Sequence, residues 1–358
     1  MSPQMGICGI GRDTGSELRT GKWTSTARHD QAVQGTDDDA AISRLSAVAL
    51  GYLDDPFSQD FVEPVGGTPP RRLPIINRGT YLRTRALDHL IDLFLDQHRH
   101  QGASMYSDDQ GAKMLVQIPQ LQIVSLGAGT DTRVFRLFSQ HAFPGLVYHE
   151  LDFPATVRKK AYIVEKTPLL RQALGDLSFT DDGSWACELR TGVRYYCHAL
   201  DLRYLSGVAS LSSVNGLKAD VPTLLLSECC LCYLEPSTAN NVLQWFTNLI
   251  PSIAVVIYEP VRPHDAFGRM MVSNLAARNI QMPTLEKYPL PRDQQIRLLQ
   301  AGLTQAKTMT TDEVWESWIS QDEKERIDAI ERLDELEEWQ LLASHYVVAW
   351  GWRGRIFL

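Results

Sequence analysis

The stretch Leu121-Gln122-Ile123-Val124-Ser125-Leu126-Gly127-Ala128-Gly129-Thr130-Asp131-Thr132 limits the folds open to this chain more than any other. Its first six residues read as a short buried strand. Two glycines then allow a tight turn that brings backbone close to a polar ligand before a helix begins. Four more β-prone runs follow, at 146–151, 193–199, 223–227 and 253–258, separated by helical or loop segments. Strands alternating with helices predict an α/β fold with a mostly parallel, doubly wound sheet covered on both faces. Runs at 303–308 and 346–352 add a terminal antiparallel pair.

Residues 1–36, rich in Gly, Ser, Thr and mixed charge, are expected to form a disordered tail, because they bury too little to offset their ordering entropy. Asp13, Glu17 and Asp30 among its basic residues argue against a mitochondrial presequence. Residues 37–358 read as a single domain, opening with an N-terminal helical part over 37–115. There Asp37-Asp38-Asp39 caps a helix from about Ala40, with Ile42, Leu45, Val48, Ala49 and Tyr52 inward. A Pro/Gly-rich loop over 64–74 leads to a second helix over 79–98. The core over 116–260 should hold the ligand. Two insertions, 261–291 and 310–344, are expected to roof the site. The first carries an amphipathic helix with Met270 and Met271, which should line the substrate cleft, and the second a long acidic helix with a solvated face.

Composition narrows the function. A net charge of −8 and a pI near 5.6 argue against a partner tracked by its phosphates, so no nucleic acid is expected. No apolar run approaches the roughly 20 residues that span a bilayer. Six cysteines in 358 residues are too few and too scattered for a disulfide scaffold. Cys229-Cys230-x-Cys232 lacks the spacing and the further ligands of a zinc site, so no metal is expected. The chain reads as a cytoplasmic protein, expected to be monomeric and free of membrane partners.

Polar groups recur at the carboxyl ends of the strands, where such sheets bind ligands. Gly127-Ala128-Gly129 lacks the third glycine of a dinucleotide fingerprint. Asp152, ending the next strand, is placed to accept from two ribose hydroxyls, a geometry that NAD enzymes share. Glu150 points to the same face and is either a second ribose ligand or a structural group. Asp201, followed by Leu202, is either an acceptor for an adenine amino group or a helix N-cap. Glu228 and Tyr233 follow the central strand.

Taken together, Gly51-Tyr52-x-x-Asp55-Pro56, Asn77-Arg78-Gly79-Thr80-Tyr81-Leu82-Arg83, Leu126-Gly127-Ala128-Gly129-x-Asp131-Thr132, Glu150-Leu151-Asp152-Phe153-Pro154 and Glu228-Cys229 carry a family signature. In their order and spacing the chain resembles the leucine carboxyl methyltransferases over about 43–352. The resemblance implies a class I methyltransferase fold and S-adenosyl-L-methionine as cofactor. It also implies methylation of the C-terminal leucine carboxylate of a type 2A protein phosphatase catalytic subunit. Gly127, Asp152, Asp201, Leu202 and Glu228 then look like cofactor contacts. Arg83 resembles the arginine that pairs with a carboxylate in the site, of cofactor or substrate. Arg44 stands where the family places a basic cofactor contact, usually lysine. Tyr233 resembles the tyrosine that orients the substrate carboxylate.

Three rival readings stay open. The same core is similar to methyltransferases acting on tRNA or on small carboxylates, although the tRNA-modifying relatives carry a further repeat domain that this chain is expected to lack. An NAD-dependent oxidoreductase would share the glycine turn and Asp152. A catalytically silent binding module is the third.

Overall fold

The computed structural model describes residues 25–62, 69–102, 120–140, 143–189 and 192–357. Two long helices come first, α1 (Ser25–Ala49) and α2 (Pro74–Gly102). Next come β1 (Leu121–Leu126), α3 (Arg133–Ser139), β2 (Leu146–Asp152), α4 (Pro154–Lys166) and α5 (Pro168–Leu174). A hairpin of β3 (Ser178–Phe179) and β4 (Trp185–Glu188) precedes β5 (Arg194–Ala199), β6 (Thr223–Glu228), α6 (Pro236–Leu249) and β7 (Ile253–Pro260). Helices α7 (Ala266–Ala276), α8 (Pro283–Lys287) and α9 (Pro291–Gln300) lead to β8 (Gln305–Thr310). Helices α10 (Thr311–Trp318), α11 (Gln321–Ile330) and α12 (Leu336–Ser344) lead to β9 (Tyr346–Arg353).

The described strands form one nine-stranded sheet in the order β3-β4-β5-β2-β1-β6-β7-β9-β8. Strands β5, β2, β1, β6 and β7 are parallel, and β9 runs antiparallel to both β7 and β8, as the sequence predicts. Every residue of β1 and β7 is buried, which explains their unbroken apolar runs. Leu121 and Ile123 of β1 pack into one core layer and Val124 and Leu126 into the other, following strand alternation. Leu126 registers with Leu151 on β2 and Ser227 on β6, so three carboxyl ends finish level. The strand order reverses between β1 and β6, which opens a crevice there.

Several expectations need correction. Of the stretch expected to be a disordered tail, residues 25–36 belong to α1, while 1–24 lie outside the described residues. Asp37, Asp38 and Asp39 therefore sit inside a helix and cap nothing. They are held instead by Thr130, Lys159 and Arg72, contacts that exist only in the assembled fold. Helix α2 begins at Pro74, where proline's missing N–H costs nothing. Residues 310–344 form three short helices in place of one long one, because Ser320 caps α11 by accepting from the Glu323 amide. Its acids are also not merely solvated, since Glu331 accepts from Tyr52, Asn77 and Arg71. The β3–β4 hairpin was not expected from the sequence. Among the described residues, no helix is long and apolar enough to cross a membrane.

Candidate active site

The carboxyl ends of β1, β2 and β6, with the segment after β5, open into a cavity of about 970 Å³. Helices α1, α2 and α12 and the start of β9 supply much of the rest of its lining.

The glycine turn builds the floor. Gly127 and Gly129 have φ of 57° and 52°, a left-handed conformation that glycine adopts without strain. Space excludes other residues as well. A Cβ at Gly127 would lie 2.5 Å from Cys230 Sγ, and one at Gly129 would lie 2.3 Å from Asp37 Oδ1. Gly127→Ala should therefore cost roughly 1–2 kcal/mol for its backbone alone, plus the clash. Adding Cys230→Ala should restore part of the lost urea midpoint, and no rescue would show that backbone strain is the whole cost.

Asp152 ends β2 beside this turn. Its Oδ2 accepts from the Gly129 amide at 2.7 Å and its Oδ1 from the Phe153 amide at 2.6 Å. Burial pushes its carboxyl up to about 6, with the two amides pulling the other way. Asp201 accepts from the Arg203 amide at 2.9 Å, so the N-cap reading holds, yet it lines the cavity too, as does Leu202. Arg203 bridges Asp201, at 2.6 Å, and Asp30 on α1, at 2.8 Å. Glu150 does not line the cavity. It is buried against Lys160 at 2.6 Å and Tyr195 at 2.7 Å, which settles its role as structural.

Glu228 ends β6 and holds two guanidiniums. Arg83 donates to its Oε1 and Arg133 to its Oε2, the latter at 2.7 Å. Burial pushes Glu228 up, but Arg133 and Arg83 outweigh it and hold the carboxyl low. Arg133 also donates to Asp131 at 2.6 Å and Asp88 at 2.9 Å, and Arg136 pairs with Asp88 at 2.8 Å. Arg83 lies 5.6 Å over the Tyr258 ring. Arg44 lines the cavity and donates to the Thr130 carbonyl at 2.8 Å. Tyr233 lines it from the turn after β6.

Sequence reasoning missed Arg133, Asp88, Asp37 and Asp30. The one available signal was Arg133 directly after the Asp131-Thr132 pair. Met270 and Met271 do not line the cavity, and Met270 is exposed; Ala276, Asn279, Gln281 and Pro283 line it from that insertion instead. The five described cysteines are free, and burial pushes the Cys229 thiol up to about 11. Among the described residues no group of His, Cys, Asp and Glu is arranged to hold a metal.

A family model described as leucine carboxyl methyltransferase matches residues 32–247. The chain is 45% identical over 350 residues to leucine carboxyl methyltransferase 1 of Emericella nidulans, covering 92% of this chain and 87% of that protein. It is 44% identical over 375 residues to the protein of that name from Aspergillus fumigatus, covering 96% and 88%. It is 35% identical to tRNA wybutosine-synthesizing protein 4 of Homo sapiens over 92% of this chain but 45% of that protein. On the family match and on identity along nearly its whole length, the chain belongs to the leucine carboxyl methyltransferase family.

Proposed function

We propose that this class I methyltransferase transfers a methyl group from S-adenosyl-L-methionine to the α-carboxylate of a C-terminal leucine. The acceptor is the catalytic subunit of a type 2A protein phosphatase, and the product is a methyl ester. The observation that carries this assignment is Arg83, a guanidinium pinned between Glu228 and the Tyr258 ring within the cavity. Monomeric action in the cytoplasm completes the proposal, and the free thiols fit a reducing compartment.

The residues present fit the cofactor. A partly buried carboxylate with a raised pKa, Asp152, gains from hydrogen-bond donors such as ribose hydroxyls. Asp201 and Leu202 offer an acceptor and an apolar face for the base, and Gly127 clears space for close approach. Arg44 and Arg83 supply cations for an amino-acid carboxylate. When bound, the cofactor supplies an electrophilic methyl group on a sulfonium.

The chain's own residues need do little acid–base work. An α-carboxylate has a pKa near ~3.5 and is already a nucleophile at pH 7. Arg83 and Tyr233 orient it, and two ligands filling the cavity displace its water, which favours the meeting of opposite charges. A tight arginine clamp would also blunt the nucleophile. Glu228 relieves that conflict, because it takes up part of the Arg83 charge.

The test is transfer of a labelled methyl group to the phosphatase catalytic subunit with and without its last leucine. A base-labile label that vanishes with the leucine is expected. Equal labelling of both forms, or transfer to tRNA instead, would overturn the assignment.

Asp152 gives the site a pH dependence. Its folded pKa is raised to about 6, so in the free protein ionisation above that pH costs folding free energy, and ligand donors return it. Affinity for S-adenosylhomocysteine should be steady above pH 7 and weaken below about pH 6, by up to ~10-fold per unit. Asp152→Asn should bind more weakly and lose the dependence. Calorimetric titration at pH 5 and 7.5 checks this, and an equal slope in the variant would sink the ribose assignment.

A further inference from the structure

Helix α4 carries a lysine where its apolar stripe should continue. Val157, Lys160, Ala161 and Val164 are its buried residues, at the spacing of one helix face. The Lys160 side chain is 1% exposed, as is that of its partner Glu150 on β2, 2.6 Å away. Glu150 stands two positions before Asp152, on the same face of the strand. Neither Lys160 nor Glu150 lines the cavity. A buried ion pair adds little stability over apolar side chains of the same volume, so stability does not account for its place.

Its contacts do. The Lys160 ammonium also donates to the Asp131 carbonyl at 2.9 Å and lies 5.7 Å from the Phe135 ring on α3. Asp131 closes the glycine turn, its amide donating to the Ala128 carbonyl at 2.9 Å. Within that turn the Gly129 amide donates to Asp152 at 2.7 Å. One ammonium therefore ties the exit of the turn to β2, the strand that carries Asp152. Charge adds to position. Burial pushes the Asp152 carboxyl up most and its two amides oppose that; of the charges, Asp37 on α1 pushes it further and Lys160 draws it down. The Cys230 thiol after β6 faces Asp152 as well, and Arg203 after β5 is engaged by Asp201 and Asp30. Around Lys160 stand Glu150, the Asp131 carboxylate held by Arg133, and the Tyr195 hydroxyl and Cys197 thiol of β5, both directed at Glu150.

We infer that Lys160 is a positioning residue for the cofactor: from under the floor it fixes the glycine turn against β2 and gives Asp152 a cation to face. The inference rests on the cofactor-binding reading of the cavity given above. Lys160→Met combined with Glu150→Gln removes both charges, so neither is left buried alone. Tyr195→Phe is the companion variant. It takes away the other donor to the same Glu150 oxygen and leaves the bond from Lys160 to Asp131 in place.

The experiment titrates S-adenosylhomocysteine by calorimetry from about pH 5 to 8, beside urea midpoints. The double variant should keep a urea midpoint close to that of the unmodified protein. It should bind roughly 3–10-fold more weakly at neutral pH, the effect of one net hydrogen bond. With the cation gone the Asp152 carboxyl rises, so weakening on acidification should begin above the pH of about 6 seen in the unmodified protein. Tyr195→Phe should lose stability, yet bind within about twofold and with the original onset. Affinity within about twofold in the double variant, an onset that does not move, or an equal loss in Tyr195→Phe would overturn the inference and leave Lys160 as a core partner of Glu150 only. If the unmodified protein did not bind S-adenosylhomocysteine at all, the proposed function itself would fail, whatever the variants did.

Discussion

Arg133→Met should lower the folding free energy by about 3–5 kcal/mol, the usual consequence of removing one member of a buried charge network. Arg133 is nearly inaccessible to solvent and donates to three carboxylates, those of Asp131, Asp88 and Glu228. Methionine keeps much of the volume but returns none of the hydrogen bonds. Arg136 still serves Asp88, and Arg83 still serves Glu228, whereas Asp131 keeps the backbone amide of residue 133 and the more distant charges of Arg44 and Lys160. The pH profile separates this loss from a packing defect. Burial pushes Asp131 and Glu228 up, but the guanidiniums outweigh it and hold both low in the folded chain. Carboxylates held low stabilise the fold above their unfolded pKa near ~4, and that contribution is lost as pH falls through the folded values. Without Arg133 the deficit should be full at pH 7 and shrink once the pH drops below ~4, being clearly smaller at about pH 2.5. Urea midpoints at both values provide the measurement. A deficit under about 1 kcal/mol, or one independent of pH, would show that the network is not what holds the glycine turn against β6.

How much of this was legible beforehand depended on where each element's stability comes from. The five parallel strands were readable because burial on both faces demands unbroken apolar runs such as 253–258. Their order and the glycine turn then fixed which edge would bind a ligand. Helix α1 was misread because its first half has no apolar stripe. Its order comes from partners distant in sequence, such as Arg203 on Asp30 and Thr130 on Asp37. The β3–β4 hairpin was invisible for a similar reason, since both residues of β3 are exposed and carry no periodic signal. At the site, Asp152 and Glu228 were legible as strand-end carboxylates. Glu150 could not be resolved from alternation alone, because only Lys160 and Tyr195 show which environment it faces. Arg83 was named by family resemblance alone, since nothing in its local sequence separates it from a surface arginine. Arg133 escaped notice because its three partners come from three different elements.

Arg83→Lys should cost about 10²–10³-fold in kcat/KM while leaving stability nearly unchanged. Charge is conserved in this substitution, so a loss of that size must come from shape. The guanidinium donates to Glu228 through Nε and lies over the Tyr258 ring, which leaves its other N–H groups for a ligand carboxylate in the cavity. A lysine ammonium is a compact point charge. Drawn to Glu228, it would abandon the carboxylate. Drawn to the carboxylate, it would strand Glu228 beside Arg133 alone. Losing one or two charge-assisted hydrogen bonds at roughly 1.5–3 kcal/mol each gives the expected factor. The companion variant Glu228→Gln should behave differently. Freed from its carboxylate partner, Arg83 would hold a ligand carboxylate more tightly and quench it further, so kcat and KM should fall together. Single-turnover transfer rates and KM for the phosphatase, measured on both variants beside their melting temperatures, distinguish these outcomes. Near-normal turnover in Arg83→Lys would reduce Arg83 to a counter-ion for Glu228, and a raised KM in Glu228→Gln would mean that Glu228 binds a ligand itself and does not temper the arginine.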